Sequence, residues 1–233
     1  MPETFTQIID FLGVISFAIS GAIVGIRKKM DVFGIVVLGI ITSTGGGLIR
    51  DVIVGNHPVV FQSPLYVGAA TVVSVIALLP FVREFFLKHP GTWGDILLIF
   101  DTLGLASFTV TGAQVGHEYA YSNHPLFMMM FMGTLTGIGG SILRDMMAQE
   151  LPDVFIRHFY ALAALSGSLI YGLLWNYVPQ ALAMIVCFAT VVVLRLLAAT
   201  FHWNMPGPDW MDRWYSEEKR KHGKLHDPEE DTE

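Results

Sequence analysis

The sequence predicts an all-α integral membrane protein with seven transmembrane helices, built as an inverted three-plus-three repeat with an added seventh helix. Three observations carry this expectation. The 233 residues are 53% hydrophobic and only 15% charged, and the mean hydropathy of +0.54 lies well above that of soluble domains. Seven apolar runs approach the ~20 residues needed to cross about 30 Å of hydrocarbon. One glycine–arginine–aspartate phrase also occurs twice, at Thr44-Gly45-Gly46-Gly47-Leu48-Ile49-Arg50-Asp51 and at Ile138-Gly139-Gly140-Ser141-Ile142-Leu143-Arg144-Asp145.

In order, the expected spans are Ile8–Ile26, Phe33–Val54, Leu65–Val82, Ile96–Val115, Leu126–Met147, Phe159–Tyr177 and Ala181–Ala199. The first reads as a retained anchor rather than a signal peptide, because Glu3 precedes it and the basic cluster Arg27-Lys28-Lys29 follows it. The loops after spans 1, 3 and 5 and the tail hold Arg27, Lys28, Lys29, Arg83, Lys88, Arg157, Arg213, Lys219, Arg220, Lys221 and Lys224, while the opposite side has no loop Lys or Arg. By the positive-inside rule the amino terminus is outside and the carboxyl terminus cytoplasmic, in a bacterial or archaeal inner membrane. After Trp203 the chain turns polar, with Pro206-Gly207-Pro208 as a breaker and an acidic end.

The halves correspond residue by residue. Asp10-Phe11-Leu12-Gly13 resembles Asp101-Thr102-Leu103-Gly104, and Ser20-Gly21-Ala22 matches Thr111-Gly112-Ala113 at the same offset. The two glycine phrases then align, followed by Pro58 with Pro152 and Tyr66 with Tyr160. Three spans separate corresponding points, so the second copy enters the membrane from the opposite side. The expected divisions are residues 5–90 for the first repeat, 91–178 for the second, 179–201 for the seventh helix and 202–233 for the tail.

Adjacent glycines weaken a helix by roughly 1 kcal/mol each relative to alanine. Gly45, Gly46, Gly47, Gly139, Gly140 and Ser141 are therefore candidate breaks in spans 2 and 5, where freed carbonyls could replace a cation's hydration shell. They could equally let helices approach closely. Arg50 and Arg144 each follow a glycine by four residues, about 6 Å along the axis, and either face the bundle or snorkel to an interface. Asp51 and Asp145 are expected to pair with another element rather than the adjacent arginine, since successive helical side chains diverge. Asp10 with Ser16 and Ser20, and Asp101 with Ser107 and Thr111, form polar faces on spans 1 and 4 that line a hydrated route or bond back to their own helices.

Other features carry packing or nothing. Gly21 and Gly25 have the spacing of a close helix contact. Met128-Met129-Met130, Phe127 and Phe131 read as packing or lipid-facing groups. The histidines lack metal-ligand spacing, no phosphate-binding glycine loop is present, and no catalytic triad is readable, so neither an enzyme nor an ATP-driven pump is supported. Cys187 is the only cysteine. No cofactor is expected, and a net charge of -6 gives no support to nucleic-acid binding.

On the residues quoted above, the paired Gly45-Gly46-Gly47-x-x-Arg50-Asp51 and Gly139-Gly140-x-x-x-Arg144-Asp145 phrases on a seven-span inverted chain, the sequence resembles the prokaryotic trimeric intracellular cation (TRIC) channels, related to the bacterial glycine-transporter (UPF0126) membrane family. The resemblance covers about residues 5–200. It implies a homotrimer in membrane lipid with one pore per protomer, glycine-broken spans 2 and 5, conduction of monovalent cations, especially potassium, and calcium modulation, although no acidic calcium loop is present. It also makes Arg50, Asp51, Arg144 and Asp145 pore or gate candidates. Ser141 departs from the pattern at the third glycine place, and the lysine-containing signature of animal members is missing. The leading expectation is a passive, potassium-permeable channel. The alternatives are a secondary transporter for glycine or another small amino acid, to which inverted repeats are equally suited, and a membrane scaffold with no route.

Overall fold

The computed structural model describes residues 2–80, 82, 92–119, 124–156, 159–201 and 203. The basic residues Arg83, Lys88 and Arg157 and the cluster from Arg213 to Lys224 lie outside these. Of the chain's two compact units, Met1–His202 and Trp203–Glu233, the first holds every described helix. These are α1 (Pro2–Arg27), α2 (Val32–Ile53), α3 (Val59–Gln62), α4 (Pro64–Ala77), α5 (Thr92–Glu118), α6 (Pro125–Met147), α7 (Asp153–Ile156), α8 (Phe159–Leu174) and α9 (Gln180–Thr200). There is no strand among the described residues.

Five of the helices, α1, α2, α5, α6 and α9, are long and apolar enough to cross a membrane. The spans expected at Leu65–Val82 and Phe159–Tyr177 are shorter, at 14 residues in α4 and 16 in α8. At 1.5 Å per residue these reach only about 21 and 24 Å. The ends have local causes. Leu78 and Leu79 close i→i+3 turns onto Val75 and Ile76 just before Pro80, and Tyr177 turns onto Leu174 ahead of Pro179.

α1, α2, α5 and α6 form the centre, with contacts between α1 and α2, α5 and α6, α1 and α5, and α2 and α6. α4 packs on α1 and α2, α8 packs on α5 and α6 in the same way, and α9 covers α5 and α8. The bundle buries a set of polar groups within an otherwise apolar interior and is greasy outside. Ser16, Ser20, Thr42, Arg50, Asp51, Asp101, Ser107, Arg144, Asp145 and Arg195 are buried, whereas Phe33, Phe61, Phe127, Val193 and Ile185 are exposed. That distribution suits lipid, which solvates apolar side chains as well as a core does. Phe127 and Phe131 stack on this outer surface with centroids 6.0 Å apart.

The first turn of α2 is fixed by Asp31, whose carboxylate accepts from the Gly34 amide at 2.7 Å. α4 and α6 begin with Pro64 and Pro125 at positions where a missing amide costs nothing. The far ends of α2 and α6 share one geometry. Asn56 N–H donates to Asp51 O and Glu150 N–H to Asp145 O, both at 2.9 Å, across left-handed residues Gly55 (φ 72) and Gln149 (φ 55). Beyond α6, Glu150 bonds Arg27 and Lys28 at the end of α1, at 2.8 and 2.9 Å, which puts these two helix ends on one face of the bundle. Burial alone would raise the Glu150 pKa, but the Lys28 hydrogen bond and the charge and hydrogen bonds of Arg27 hold it below the ordinary 4.5.

Two predictions follow from these ends. Gln149→Gly removes a left-handed side-chain penalty of about 1 kcal/mol and should raise the thermal unfolding midpoint in detergent, while Gly55→Ala should lower it. Because folding depresses the Glu150 pKa, its stabilising contribution is complete above the ordinary value of 4.5 and fades as pH falls below it. Glu150→Gln should flatten that acid limb of the stability profile.

Candidate functional site

The two glycine phrases meet where α2 crosses α6. The Thr136 carbonyl lies against Gly46 and the Thr42 carbonyl against Gly140, so close that a methyl on either glycine would overlap it. A methyl on Gly139 would stand 3.1 Å from the Gly46 Cα. Moving four residues on from Thr42 to Gly46 moves four residues back on α6, from Gly140 to Thr136, so the helices run antiparallel through a reciprocal contact. Both helices remain continuously helical through the phrases. This corrects the expectation of unwound backbone at Gly45, Gly46, Gly47, Gly139, Gly140 and Ser141. The crossing needs backbone atoms where side chains would stand, and glycine supplies that room without leaving the helix.

The same crossing puts Arg50 and Arg144 on opposite sides of it, and neither snorkels: they are 7% and 1% exposed. Each guanidinium folds back onto its own neighbour, with Arg50 Nε to Asp51 Oδ1 and Arg144 Nε to Asp145 Oδ1 both at 2.8 Å. The expectation that the adjacent pair would not meet is therefore corrected, because the long arginine side chain bends to bring Nε beside the next carboxylate. The other oxygen of each aspartate does reach a separate element. Asp51 Oδ2 accepts from the Val59 amide at 2.9 Å and Asp145 Oδ2 from the Asp153 amide at 3.0 Å, tying down the first turns of α3 and α7.

On the Arg50 side the bundle has a small cavity that opens outward, with about 390 Å³ of empty space when its open mouth is counted. Asp10, Ser43, Thr44, Gly47, Arg50, Asp51, Tyr66 and Phe108 line it. Gly47 is what keeps the wall back, since the nearest atom to a methyl there would be Arg50 Nη2 at 3.8 Å. Asp10 has Thr111 beside it and lies within the electrostatic reach of Arg50. Among the described residues it forms no ion pair. Tyr66 stacks on Phe11 with centroids 5.0 Å apart.

On the Arg144 side the equivalent residues are locked together. Arg144 Nη1 donates to Asp101 Oδ1 at 2.6 Å and to Ser20 Oγ at 2.5 Å. Asp101 Oδ2 also faces Arg195 Nη2 at 3.7 Å, and the Arg195 guanidinium lies over the Tyr160 ring at 4.5 Å. Ser141, which replaces the third glycine, donates to the Ile138 carbonyl at 2.9 Å and lies beside Tyr160. Between the two sides, Phe17 and Phe108 pack with centroids 5.4 Å apart.

Of the polar faces expected on spans 1 and 4, Ser20 joins the Arg144 cluster and Thr111 the Asp10 side, while Ser16 and Ser107 are buried. Ser107 Oγ has no hydrogen-bond partner among the described residues. Arg195 escaped the sequence reading although a lone arginine in an apolar run is itself a signal. Phe17 and Phe108 stand at the same offset as Asp10 and Asp101, and that offset was the available clue. No group of three or more metal-ligating side chains is present among the described residues.

The family model described as Glycine transporter matches residues 7–81 and 98–176. The chain is 35% identical over 203 residues to the UPF0126 membrane protein YvgT of Bacillus subtilis, covering 86% of this chain and 95% of that protein. It is 32% identical over 201 residues to the UPF0126 inner membrane protein YadS of Escherichia coli K12, covering 85% and 93%. Its fold matches the crystal structure of a prokaryotic TRIC channel in 0.5 M KCl with a TM-score of 0.78 at 28% identity, over 87% of this chain and all of that one. It likewise matches the TRIC trimeric intracellular cation channel orthologue from Rhodobacter sphaeroides with a TM-score of 0.77 at 33% identity, over 86% and 100%.

Gly46→Ala and Gly140→Ala should each destabilise the protein by about 1–3 kcal/mol through overpacking at the crossing. Gly68→Ala, where a methyl meets nothing within 4 Å, should be neutral or stabilising. Thermal unfolding of the three variants in one detergent checks both halves of the expectation.

Proposed function

We infer, for a chain that belongs to the Glycine transporter family of membrane proteins and is a prokaryotic TRIC-family protein, that it is a passive cation channel permeable to potassium. Its route runs through each protomer of a homotrimer in the inner membrane, along the polar interior of an inverted three-plus-three bundle. Residues 5–90 and 91–178 form the two repeats, 179–201 the added helix and 202–233 a cytoplasmic tail, with the amino terminus outside.

The observation that carries this reading is the cavity beside Arg50. Its carboxylates, Asp10 and Asp51, outnumber its single guanidinium, so the wall draws cations toward the interior. The hydroxyls of Ser43, Thr44 and Tyr66 offer oxygens to a partly dehydrated ion. Arg50 is held off the route by Asp51, and the equivalent Arg144–Asp101 cluster stands on the other side of the crossing as the closed part of the same path. Because the glycines remain helical, the permeant ion meets side-chain oxygens here rather than freed backbone carbonyls. The repeated packing of α4 on α1 and α2, and of α8 on α5 and α6, supports the repeat, and the antiparallel crossing supports its inversion.

A second reading has its own observation. A guanidinium and a carboxylate facing one small cavity can hold the two ends of a zwitterion, which suits alternating-access uptake of glycine or a similarly small amino acid.

Potassium and radiolabelled glycine fluxes measured in one proteoliposome preparation, with and without calcium, separate the two. The channel reading expects a potassium flux without saturable glycine counterflow. Asp10→Asn should reduce that flux by about tenfold, the order for removing one unit charge from a poorly solvated route. Saturable glycine exchange without potassium flux would establish the transporter instead.

A further inference from the structure

Among the described residues α9 has no counterpart in the first half of the bundle, and it brings a charge with it. Arg195 is 4% exposed, faces Asp101 Oδ2 at 3.7 Å and covers the Tyr160 ring. Its Nε has no hydrogen-bond partner among the described residues. A buried guanidinium with a donor unused is held by its charge partner and the ring rather than by a full set of hydrogen bonds.

The two halves of the interior are otherwise matched. Asp10, Arg50, Asp51 and Tyr66 on one side correspond to Asp101, Arg144, Asp145 and Tyr160 on the other. The first set holds one guanidinium against two carboxylates and borders an open cavity. The second holds two guanidinium groups against two carboxylates, so Arg195 alone cancels the excess negative charge there. Gly47 leaves the open side clear, and its equivalent Ser141 stands beside Tyr160, the residue whose ring that guanidinium covers.

We propose that Arg195 is the latch of the closed half: its guanidinium occupies the position at Asp101 that a permeant cation must take, and conduction through this half requires it to be displaced. This rests on the channel reading. The latch itself is a statement about access to Asp101, so it can be tested apart from flux.

The test uses the full chain, with Ser141→Cys as reporter for the closed half and Gly47→Cys for the open half. Labelling by a small cationic thiol reagent is read above that of protein carrying only the buried Cys187. Gly47→Cys should label readily with or without Arg195. Ser141→Cys should label slowly beside Arg195, about tenfold faster with Arg195→Gln, and slowly again with Arg195→Lys, which keeps the charge. Potassium flux should rise with Arg195→Gln in parallel.

An unchanged Ser141→Cys rate in Arg195→Gln overturns the latch, and so does Arg195→Lys labelling as fast as Arg195→Gln, which would make the residue a space-filler. If Arg195→Gln does not assemble, Arg195→Met, which removes the charge and keeps an apolar stem beside Tyr160, carries the same measurement with Asp101 intact, an unchanged rate again overturning the latch. Faster labelling without potassium flux in any variant overturns the channel reading and leaves the latch standing. Wild-type flux with unchanged labelling does the reverse.

Discussion

The reciprocal seat of the Thr42 carbonyl on Gly140 and the Thr136 carbonyl on Gly46 is the constraint from which the remaining geometry follows. Two helices that touch backbone to backbone have their separation fixed by atoms that cannot choose another rotamer. Their neighbours are fixed in turn: Gly21 on α1 admits the Thr42 hydroxyl and Gly112 on α5 the Thr136 hydroxyl, each 2.6 Å from where a methyl would stand. A four-helix centre packed this closely leaves little freedom near its middle. The interior widens away from the crossing on the Arg50 side.

Charge in a bilayer needs a partner, and here the partners also organise the chain. Asp51 and Asp145 each divide their two oxygens between the preceding arginine and the amide that starts a short helix. One carboxylate thus neutralises a buried guanidinium and fixes where the chain goes after the span. Removing it would leave a desolvated arginine, an unsatisfied amide and a loosened exit at once, penalties that are coupled rather than independent. The Arg-Asp phrase is accordingly a structural joint between each span and the short helix that follows it.

Much of this was legible in the sequence, and the parts that were not share a cause. The apolar runs, the paired phrases and the register of Asp10 with Asp101 and Tyr66 with Tyr160 depend on composition and spacing, which a sequence displays directly. Whether Gly45, Gly46 and Gly47 break a helix or seat a neighbour depends on what stands opposite, and only tertiary contact decided for the seat. The Arg50–Asp51 bond was misjudged because helical angles describe where Cβ atoms point, whereas a side chain as long as arginine can turn back along its own helix. The short α4 and α8 were overextended because hydropathy continues past Ala77 and Leu174 although the backbone has already turned. Asp51 and Asp145 as caps for α3 and α7 required a contact eight residues along, which no local pattern marks.

A perfectly matched pair of halves would present the same electrostatic face to both sides of the membrane. Such a molecule has no internal reason to be open on one side and shut on the other. The third glycine of the first phrase and the serine of the second already differ in bulk, and α9 adds a difference in charge by packing mainly on α5 and α8. Its Arg195 draws on the same Asp101 that Arg144 holds, so the carboxylate corresponding to the accessible Asp10 is shared between two cations. In the proposed channel the matched halves would supply the path, while α9 makes the surroundings of Asp10 and Asp101 unequal. The proposed latch follows from that inequality, because a cation approaching Asp101 would compete with the guanidinium groups of Arg144 and Arg195 already there, whereas Asp10 forms no ion pair among the described residues.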